Sequence, residues 1–200
     1  DACLVHFSTD YVFDGMKMSA YDEFDQTNPQ TAYGKSKLAG EEHIKETWYK
    51  HFIFRISWLY GKNGANFVYT MIRLFNERDA VRIVGDQFGS PTYTMETARM
   101  VAYFIENKIN QYGIYHFSNE GKTSWYEFGK TIYNCSKELG LVEKETGIFS
   151  ILTDEYPTKA KRPANSHMSK DKIMKIYEPI HNWKDSLTEF LNEIKTTKNN

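Results

Sequence analysis

The chain has 200 residues, of which 40% are hydrophobic and 16% aromatic, so it can bury a sizeable core and is too apolar for a disordered or collagen-like protein. Its 25 Lys and Arg against 26 Asp and Glu give a formal net charge of −1, which argues against a nucleic acid or an anionic membrane as its partner. The length predicts one large domain, or one domain and part of another.

The first part of the chain alternates between strand and helix patterns. Apolar runs predict strands at residues 4–7, 51–60, 81–84 and 113–117. Apolar side chains at helical spacing predict helices at residues 31–50, 65–78 and 95–107. This alternation is typical of an α/β domain with a largely parallel sheet.

The last third adds two helices and a short strand. An S-x-x-E pattern that begins at Ser124 has the form of a capping box, so a helix is predicted at residues 124–139 with Ser124 as its N-cap. A short strand is predicted at residues 149–152, followed by a loop up to Ser166. Apolar residues at 183–194 indicate a C-terminal helix.

The glycine-rich turn that holds a dinucleotide's pyrophosphate is not in this sequence. Gly61 and Gly64 follow a predicted strand, but Phe67 stands where a third glycine belongs, so the pair is interpreted as an ordinary turn. The chain starts at Asp1 and enters an apolar stretch almost at once, and its predicted strands are too few for a complete doubly wound sheet. We therefore expect a segment that begins inside a larger fold.

The cysteines and the hydropathy pattern indicate a cellular compartment. Cys3 and Cys135 form no C-x-x-C pair and have no metal-ligand spacing, which fits a reducing environment. No apolar run approaches the roughly 20 residues needed to cross a bilayer, and no signal-peptide pattern is found near the start. Together these features predict a soluble cytoplasmic chain with no metal site.

A Tyr-x-x-x-Lys spacing is the first pattern with chemical meaning. On a helix it places a phenol and an ammonium one turn apart on one face. The cation favours the phenolate, which helps the phenol to pass its proton to a carbonyl oxygen. The spacing occurs three times, at Tyr33 with Lys37 and twice in the helix predicted at 124–139, where ordinary amphipathicity explains it. Tyr33 differs because it follows the polar strand end that contains Thr9.

Eight short blocks in order along the chain carry a family resemblance. They are residues 8–15 (STDYVFDG), 33–41 (YGKSKLAGE), 55–61 (RISWLYG), 66–68 (NFV), 86–92 (DQFGSPT), 115–117 (YHF), 124–128 (SWYEF) and 162–166 (RPANS). The sequence thereby resembles the dTDP-4-dehydrorhamnose reductase family of extended short-chain dehydrogenases. A set of blocks in the order found in the family is far more specific evidence for that family than any single block.

The resemblance implies a catalytic set of Thr9, Tyr33 and Lys37. In this family Tyr33 would protonate the C4 oxygen of a 4-keto sugar as the nicotinamide delivers hydride to C4. Lys37 would hold the nicotinamide ribose and favour the ionised phenol, and Thr9 would hydrogen-bond the reacting oxygen. Trp58 would pack against the deoxysugar, with Asp10 as a further substrate contact; without the resemblance, Trp58 reads as a core aromatic at a strand end.

Two later residues are candidates for holding the nucleotide. Arg162 lies in a loop with no acidic sequence neighbour, and its guanidinium fork suits a diphosphate, although a solvated surface arginine is the alternative. Gln87 lies with Phe88 in a Gly-flanked loop where a base could bind, although a structural turn explains the loop equally well. His116 lies inside a predicted strand and is expected to be packed.

The resemblance also implies a fold, a domain division and a cofactor. It implies the C-terminal two-thirds of a Rossmann-type doubly wound sheet plus a small α/β substrate-binding region. Residues 1–80 would be the remainder of the NAD(P)-binding domain, and residues 81–200 mainly the substrate-binding region, with elements that return to the sheet. NADPH or NADH is the expected cofactor, and the expected reaction reduces dTDP-4-dehydrorhamnose to dTDP-L-rhamnose, a precursor of cell-surface polysaccharide.

One departure from the family concerns its oligomers. Some bacterial members place an acidic residue at the position of Met95 to share a divalent metal across a dimer, and a thioether is a poor ligand for a hard cation. No Mg²⁺-bridged dimer is therefore expected, and other oligomers stay open.

Two other functions compete with the reductase. The regulatory beta subunit of methionine adenosyltransferase resembles the same family, but a regulatory protein need not keep Thr9, Tyr33, Lys37 and Trp58 together. Nucleotide-sugar dehydratases follow the threonine with an Asp-Glu pair that eliminates water, whereas here Asp10 is followed by a tyrosine. The missing carboxylate disfavours a dehydratase, and another nucleotide-sugar reductase or an epimerase remains as the enzyme alternative.

Overall fold

A computed structural model describes residues 2–156 and 162–198 of the chain. The described strands are β1 (Leu4–Thr9), β2 (His51–Ile56), β3 (Leu59–Tyr60), β4 (Ala80–Val84), β5 (Phe88–Gly89), β6 (Thr92–Tyr93), β7 (Gly113–Phe117), β8 (Thr123–Ser124) and β9 (Gly147–Ile151). The described helices are α1 (Ala32–Thr47), α2 (Phe67–Glu77), α3 (Thr94–Glu106), α4 (Trp125–Glu138) and α5 (Trp183–Lys198). Short 3-10 turns occur at Asp10–Val12, Thr153–Glu155 and Ile173–Lys175.

The largest sheet consists of three parallel strands in the order β1, β2, β7. Every residue of β2 is buried, as expected for the central strand of a sheet covered on both faces. One face packs on α3 through an apolar cluster that includes Phe52, Phe54, Met100, Phe104 and Tyr115. Because parallel strands end at the same edge, the segments that follow β1 and β2 meet there.

A second core lies between α2, α4 and α5. Its fully buried side chains include Val68, Phe75, Phe128, Ile132, Leu187 and Phe190. The parallel pair β4 and β9 packs against this core through Val81 and Ile83. The remaining pairs are short: β3 with β6 is parallel, and β5 with β8 is antiparallel.

Most predicted elements are confirmed to within a few residues, and so is the α/β class. The Ser124 hydroxyl accepts a hydrogen bond from the Glu127 N–H at 3.1 Å, as the capping pattern predicts. The single strand expected at residues 51–60 is wrong, because the chain bends after Ile56 and Trp58 has a φ of 48°, which no strand residue adopts. The loop predicted up to Ser166 includes residues 157–161, which lie outside the described residues.

Three further properties concern the described part of the chain as a whole. None of its helices is both long and apolar enough to cross a membrane. Within residues 2–156 and 162–198, no group of three or more His, Cys, Asp or Glu side chains is arranged to hold a metal ion. Cys3 and Cys135 are both free thiols.

Candidate active site

Five of the predicted site residues line one cavity at the carboxyl ends of β1 and β2. This cavity has a volume of about 760 Å³, and its walls include Thr9, Asp10, Tyr33, Lys37 and Trp58. These residues come from a strand end, a following turn, a helix and a bend after the second strand. Only the tertiary fold brings them together. We call this space the catalytic cavity.

Thr9 and Asp10 stand where β1 passes into a 3-10 turn. The Tyr11 N–H donates to Thr9 Oγ1 at 3.2 Å, so Thr9 caps the turn, and the Thr9 hydroxyl donates to Asp10 Oδ1 at 2.9 Å. The Asp10 residue is only 3% exposed, and its Oδ2 atom has no hydrogen-bond partner within the described structure. Burial raises the pKa of Asp10 to about 6, although the hydrogen bond from Thr9 favours its ionised form.

Helix α1 brings Tyr33 and Lys37 to the rim of the cavity. Thr31 caps the helix by accepting the Gly34 N–H at 3.0 Å. Tyr33 is 57% exposed, and the Tyr11 ring lies edge-on to it with centroids 5.8 Å apart. The Lys37 ammonium donates a short hydrogen bond to the main-chain carbonyl of Phe7 in β1. The phenol is therefore open to a ligand, while the ammonium is held against the sheet.

The close approach of α1 to the strand end requires a glycine. A Cβ atom at Gly34 would lie 2.2 Å from the carbonyl oxygen of Tyr11, well inside the distance that real Cβ atoms keep from backbone. Any side chain at position 34 would push the helix away from the turn that follows Thr9. Sequence reasoning did not single out Gly34, although it stands directly after Tyr33.

Trp58 forms part of the cavity wall and is held by two neighbours. Its ring stacks on that of Trp125 with centroids 3.6 Å apart and planes 10° apart. A Cβ atom at Gly89 would lie 2.6 Å from Trp58 Cε2, so the absence of a side chain there leaves room for the indole. The positive φ of Trp58 costs about 1–3 kcal/mol, a kind of strain that clusters at functional sites. Trp58 therefore combines core packing with exposure to the cavity.

Gln87 and Arg162 lie in a second cavity, of about 650 Å³. Trp125 lines this second cavity as well, so the stacked pair of Trp58 and Trp125 lies between the two cavities. The Gln87 side chain is buried, and its Nε2 donates to Thr153 Oγ1 at 3.1 Å, which fits the structural alternative for that loop. The amide oxygen of Gln87 is the group that could accept a hydrogen bond from a ligand.

Three further arginines line the second cavity beside Arg162: Arg73, Arg78 and Arg82. Arg162 itself is exposed, as the alternative of a surface arginine predicted. Sequence reasoning missed the other three, because they come from α2, the residue after it and β4, and no local pattern places these segments beside residue 162. Phe88, expected beside Gln87 as a stacking surface, instead lines a different cavity with Lys122.

These features define a class of protein: an α/β domain in which parallel strand ends and one helix bring a threonine, a tyrosine and a lysine to a single cavity. A sequence model of the family described as RmlD substrate binding domain matches residues 1–196, and the chain belongs to this family. The resemblance to dTDP-4-dehydrorhamnose reductases is thereby confirmed.

Individual relatives agree with this assignment. The chain is 44% identical over 189 residues to the spore coat polysaccharide biosynthesis protein SpsK of Bacillus subtilis, covering 94% of the chain and 64% of SpsK. It is 36% identical over 200 residues to the dTDP-4-dehydrorhamnose reductase of Salmonella typhimurium, covering 98% of the chain and 67% of that enzyme. The chain thus spans about two thirds of the length of these relatives.

A solved structure shows the same fold. The crystal structure of dTDP-4-dehydrorhamnose reductase from Bacillus anthracis, in complex with NADP, superposes with a TM-score of 0.89 at 40% sequence identity. The superposition covers 96% of this chain and 66% of the other. The NADP in that structure is a property of the relative.

Proposed function

We propose that this chain carries the substrate-binding and proton-donating part of an NADPH-dependent reductase that converts dTDP-4-dehydrorhamnose to dTDP-L-rhamnose. The observation that carries the proposal is that Thr9, Tyr33, Lys37 and Trp58 line one cavity. Relatives named dTDP-4-dehydrorhamnose reductase support the substrate class, and the relative solved with NADP supports the cofactor. The cytoplasmic location of the protein also remains a prediction.

The residues on the rim of the catalytic cavity fit a nicotinamide nucleotide. Phe7 and Ile56 contribute apolar wall, while the Tyr33 hydroxyl and the Lys37 ammonium supply polar groups suited to a ribose. When bound, NADPH supplies the hydride for carbon 4 of the sugar. The chain's own groups orient the sugar and provide the proton.

Tyr33 is the proton donor in this proposal. Its exposed phenol stands on the rim of the catalytic cavity, where it reaches a ligand without rearrangement of the helix. The Lys37 cation on the same face favours the phenolate that remains once the proton has passed to the ketone oxygen. The hydrogen bond from Lys37 to the Phe7 carbonyl holds the cation near β1, where the substrate would bind.

Thr9 and Asp10 act together on the sugar oxygen. Thr9 has one hydroxyl proton, and it donates this proton to Asp10 Oδ1. If Asp10 is protonated, the acid can donate to Thr9 instead, and the Thr9 proton is free to turn toward the ketone. Because the pKa of Asp10 is raised to about 6, this arrangement is accessible in mildly acidic solution.

The rest of the nucleotide-sugar spans the two cavities. The stacked Trp58 presents an aromatic plane to the C–H groups of the deoxysugar. Arg162 offers a guanidinium for the diphosphate, with Arg73, Arg78 and Arg82 in the same cavity. Gln87 could accept a hydrogen bond from the base through its amide oxygen.

The domain division stays a proposal: residues 1–80 carry the remainder of the cofactor domain, and residues 81–200 serve mainly the substrate. The pairing of β7 with β2 supports the expectation that elements of the second part return to the first sheet. We also keep the prediction that the protein forms no Mg²⁺-bridged dimer. Met95, on which that prediction rests, is exposed at the start of α3.

Replacement of Tyr33 by phenylalanine in the full-length protein tests the proposal. Loss of the general acid is expected to lower kcat by roughly 10²–10⁴-fold, while KM for the nucleotide-sugar changes little. Tyr126→Phe is a matched control, because Tyr126 has the same spacing to Lys130 and lies outside the catalytic cavity. A Tyr33→Phe protein that keeps more than about a tenth of its kcat would show that Tyr33 is not the acid.

A further inference from the structure

Helix α1 is held to the sheet in an unusual way. It carries Tyr33 and Lys37, yet only Gly34 and Glu41 of its sixteen residues are buried. A surface helix is ordinarily held by an apolar stripe, but the buried positions of α1 are a glycine and a carboxylate. Leu38 adds a partly buried apolar contact, and Glu41 is the fully buried side chain of the helix.

Glu41 makes a two-pronged ion pair with Arg55 of β2. The Arg55 Nη2 donates to Glu41 Oε2 at 2.7 Å, and Nε donates to Oε1 at 3.0 Å. Their side chains are 0% and 3% exposed, respectively, so the pair is fully removed from water. A parallel fork of this kind restricts direction as well as distance, because both nitrogens must face both oxygens.

Glu41 also reaches the strand that ends in Thr9. The Ser8 hydroxyl donates a short hydrogen bond to Glu41 Oε1, and Ser8 is the residue directly before Thr9. Ser8 and Arg55 are paired in the register of β1 and β2, so their side chains leave the sheet on the same face. One carboxylate thus touches the strand that carries Thr9, and the strand that leads into Trp58.

His116 of β7 lies beside Arg55 on the same face of the sheet and carries no charge. It is paired with Arg55 in the register of β7 and β2, and its Nε2 lies 3.5 Å from Arg55 Nη1. Burial, together with the Arg55 cation, lowers the pKa of His116 to about 3, so the imidazole is neutral. The Phe13 ring lies 5.2 Å from the guanidinium carbon. Glu41 and Arg55 therefore pair beside a neutral imidazole, and a further carboxylate, that of Glu23, accepts the His116 main-chain N–H at 2.9 Å.

We infer that Glu41 is a positioning residue, which fixes helix α1 against β1 and β2 so that Tyr33, Lys37 and Thr9 take one geometry in the catalytic cavity. The inference rests on the proposed function for the roles of those three residues. Lys37 lies one helical turn before Glu41, and Tyr33 lies two turns before, about 6 Å and 12 Å along the axis. A small shift at Glu41 is therefore passed along the same rigid helix to both groups.

The energetics of buried ion pairs favour this interpretation over simple stabilisation. Apolar side chains of similar volume often stabilise a fold as well as a buried ion pair does, since both charges must be stripped of water. Apolar side chains lack the direction of a fork, however, and would let the helix slide or rotate. Positioning and stability can therefore be separated by experiment.

The experiment uses the full-length protein with both partners replaced, Glu41→Met with Arg55→Met, which leaves no unpaired buried charge. We expect a melting temperature near that of the unchanged protein but a kcat lower by about 10²-fold, because misplacement of reacting groups by about 1 Å costs this much. KM for the nucleotide-sugar should stay within about 3-fold, since Trp58 and Arg162 are not on α1. Hydrogen exchange of α1 amides should accelerate while α3 amides stay protected.

Two further variants make the result decisive. Glu42→Gln is the matched control, because Glu42 is the next residue on α1 and its ion pair with Lys45 is exposed; it should leave kcat and exchange unchanged. Glu41→Asp keeps the charge but shortens the side chain, and it should lower kcat with unchanged KM even if the double variant does not fold.

The kinetic and exchange measurements test the positioning role of Glu41 separately. Wild-type kcat together with normal protection of α1 in the folded double variant, or in Glu41→Asp, would overturn the positioning role. The exchange measurement does not depend on turnover, so it still tests the placement of α1 if Tyr33→Phe shows that the proposed reaction is wrong.

Discussion

Replacement of Asp10 by asparagine should make the protein more stable at neutral pH. Asp10 is buried at the end of β1, and burial raises the pKa of its carboxyl from 3.8 to about 6. Its Oδ2 has no partner within the described structure, so ionisation places a poorly solvated charge in the catalytic cavity. Asparagine has a similar shape and carries no charge at any pH.

The magnitude follows from linkage between protonation and folding. A group whose pKa is raised in the folded state binds more protons there, so its stabilising effect is complete below about pH 4 and is lost as the pH rises through about 6. At about 1.4 kcal/mol per pH unit, the loss reaches about 3 kcal/mol. The free energy of unfolding of Asp10→Asn relative to the unchanged protein should therefore rise by about 3 kcal/mol between about pH 3 and pH 8.

Urea unfolding at a series of pH values measures this difference. Asp14→Asn is a control of opposite sign, because the Met16 N–H, followed by Asn28 and Tyr21, holds the pKa of Asp14 below its usual value. That variant should lose relative stability as the pH rises. If the stability difference between Asp10→Asn and the unchanged protein does not vary with pH, the pKa of Asp10 is not raised by burial.

Two further predictions concern Arg162 and the packing of Trp58. Arg162→Ala should raise KM for the nucleotide-sugar by roughly 10- to 150-fold, with a smaller effect on kcat. The KM of Arg162→Lys should lie between those of Arg162→Ala and the unchanged protein. If steady-state kinetics give an unchanged KM for Arg162→Ala, Arg162 is an ordinary surface residue. Gly89→Ala should displace the Trp58 ring from Trp125 and cost about 1–3 kcal/mol, because the new Cβ overlaps the indole. Unaltered tryptophan fluorescence and stability in that variant would contradict the packing described for Trp58.

The features that local sequence determines are those that depend on near neighbours in the chain. Tyr33 and Lys37 meet on one face because a helix repeats every 3.6 residues, and the N-cap at Ser124 forms because its hydroxyl lies beside the Glu127 N–H. The strand ending at Thr9 follows from its apolar run and the polar residues after it. The order of the short sequence blocks along the chain was enough to indicate the family.

The features that only the tertiary structure decided depend on segments far apart in the chain. Trp58 leaves the strand pattern because packing on Trp125, and the space beside Gly89, outweigh its local preference for extended backbone. The second cavity combines Arg162 with Arg73 and its neighbours, a grouping that no sequence period encodes. Glu41 reads as one more charge on a polar helix until strand register aligns Ser8 with Arg55 beneath it. Burial of a charge depends on every segment that surrounds it, so local periodicity does not reveal it.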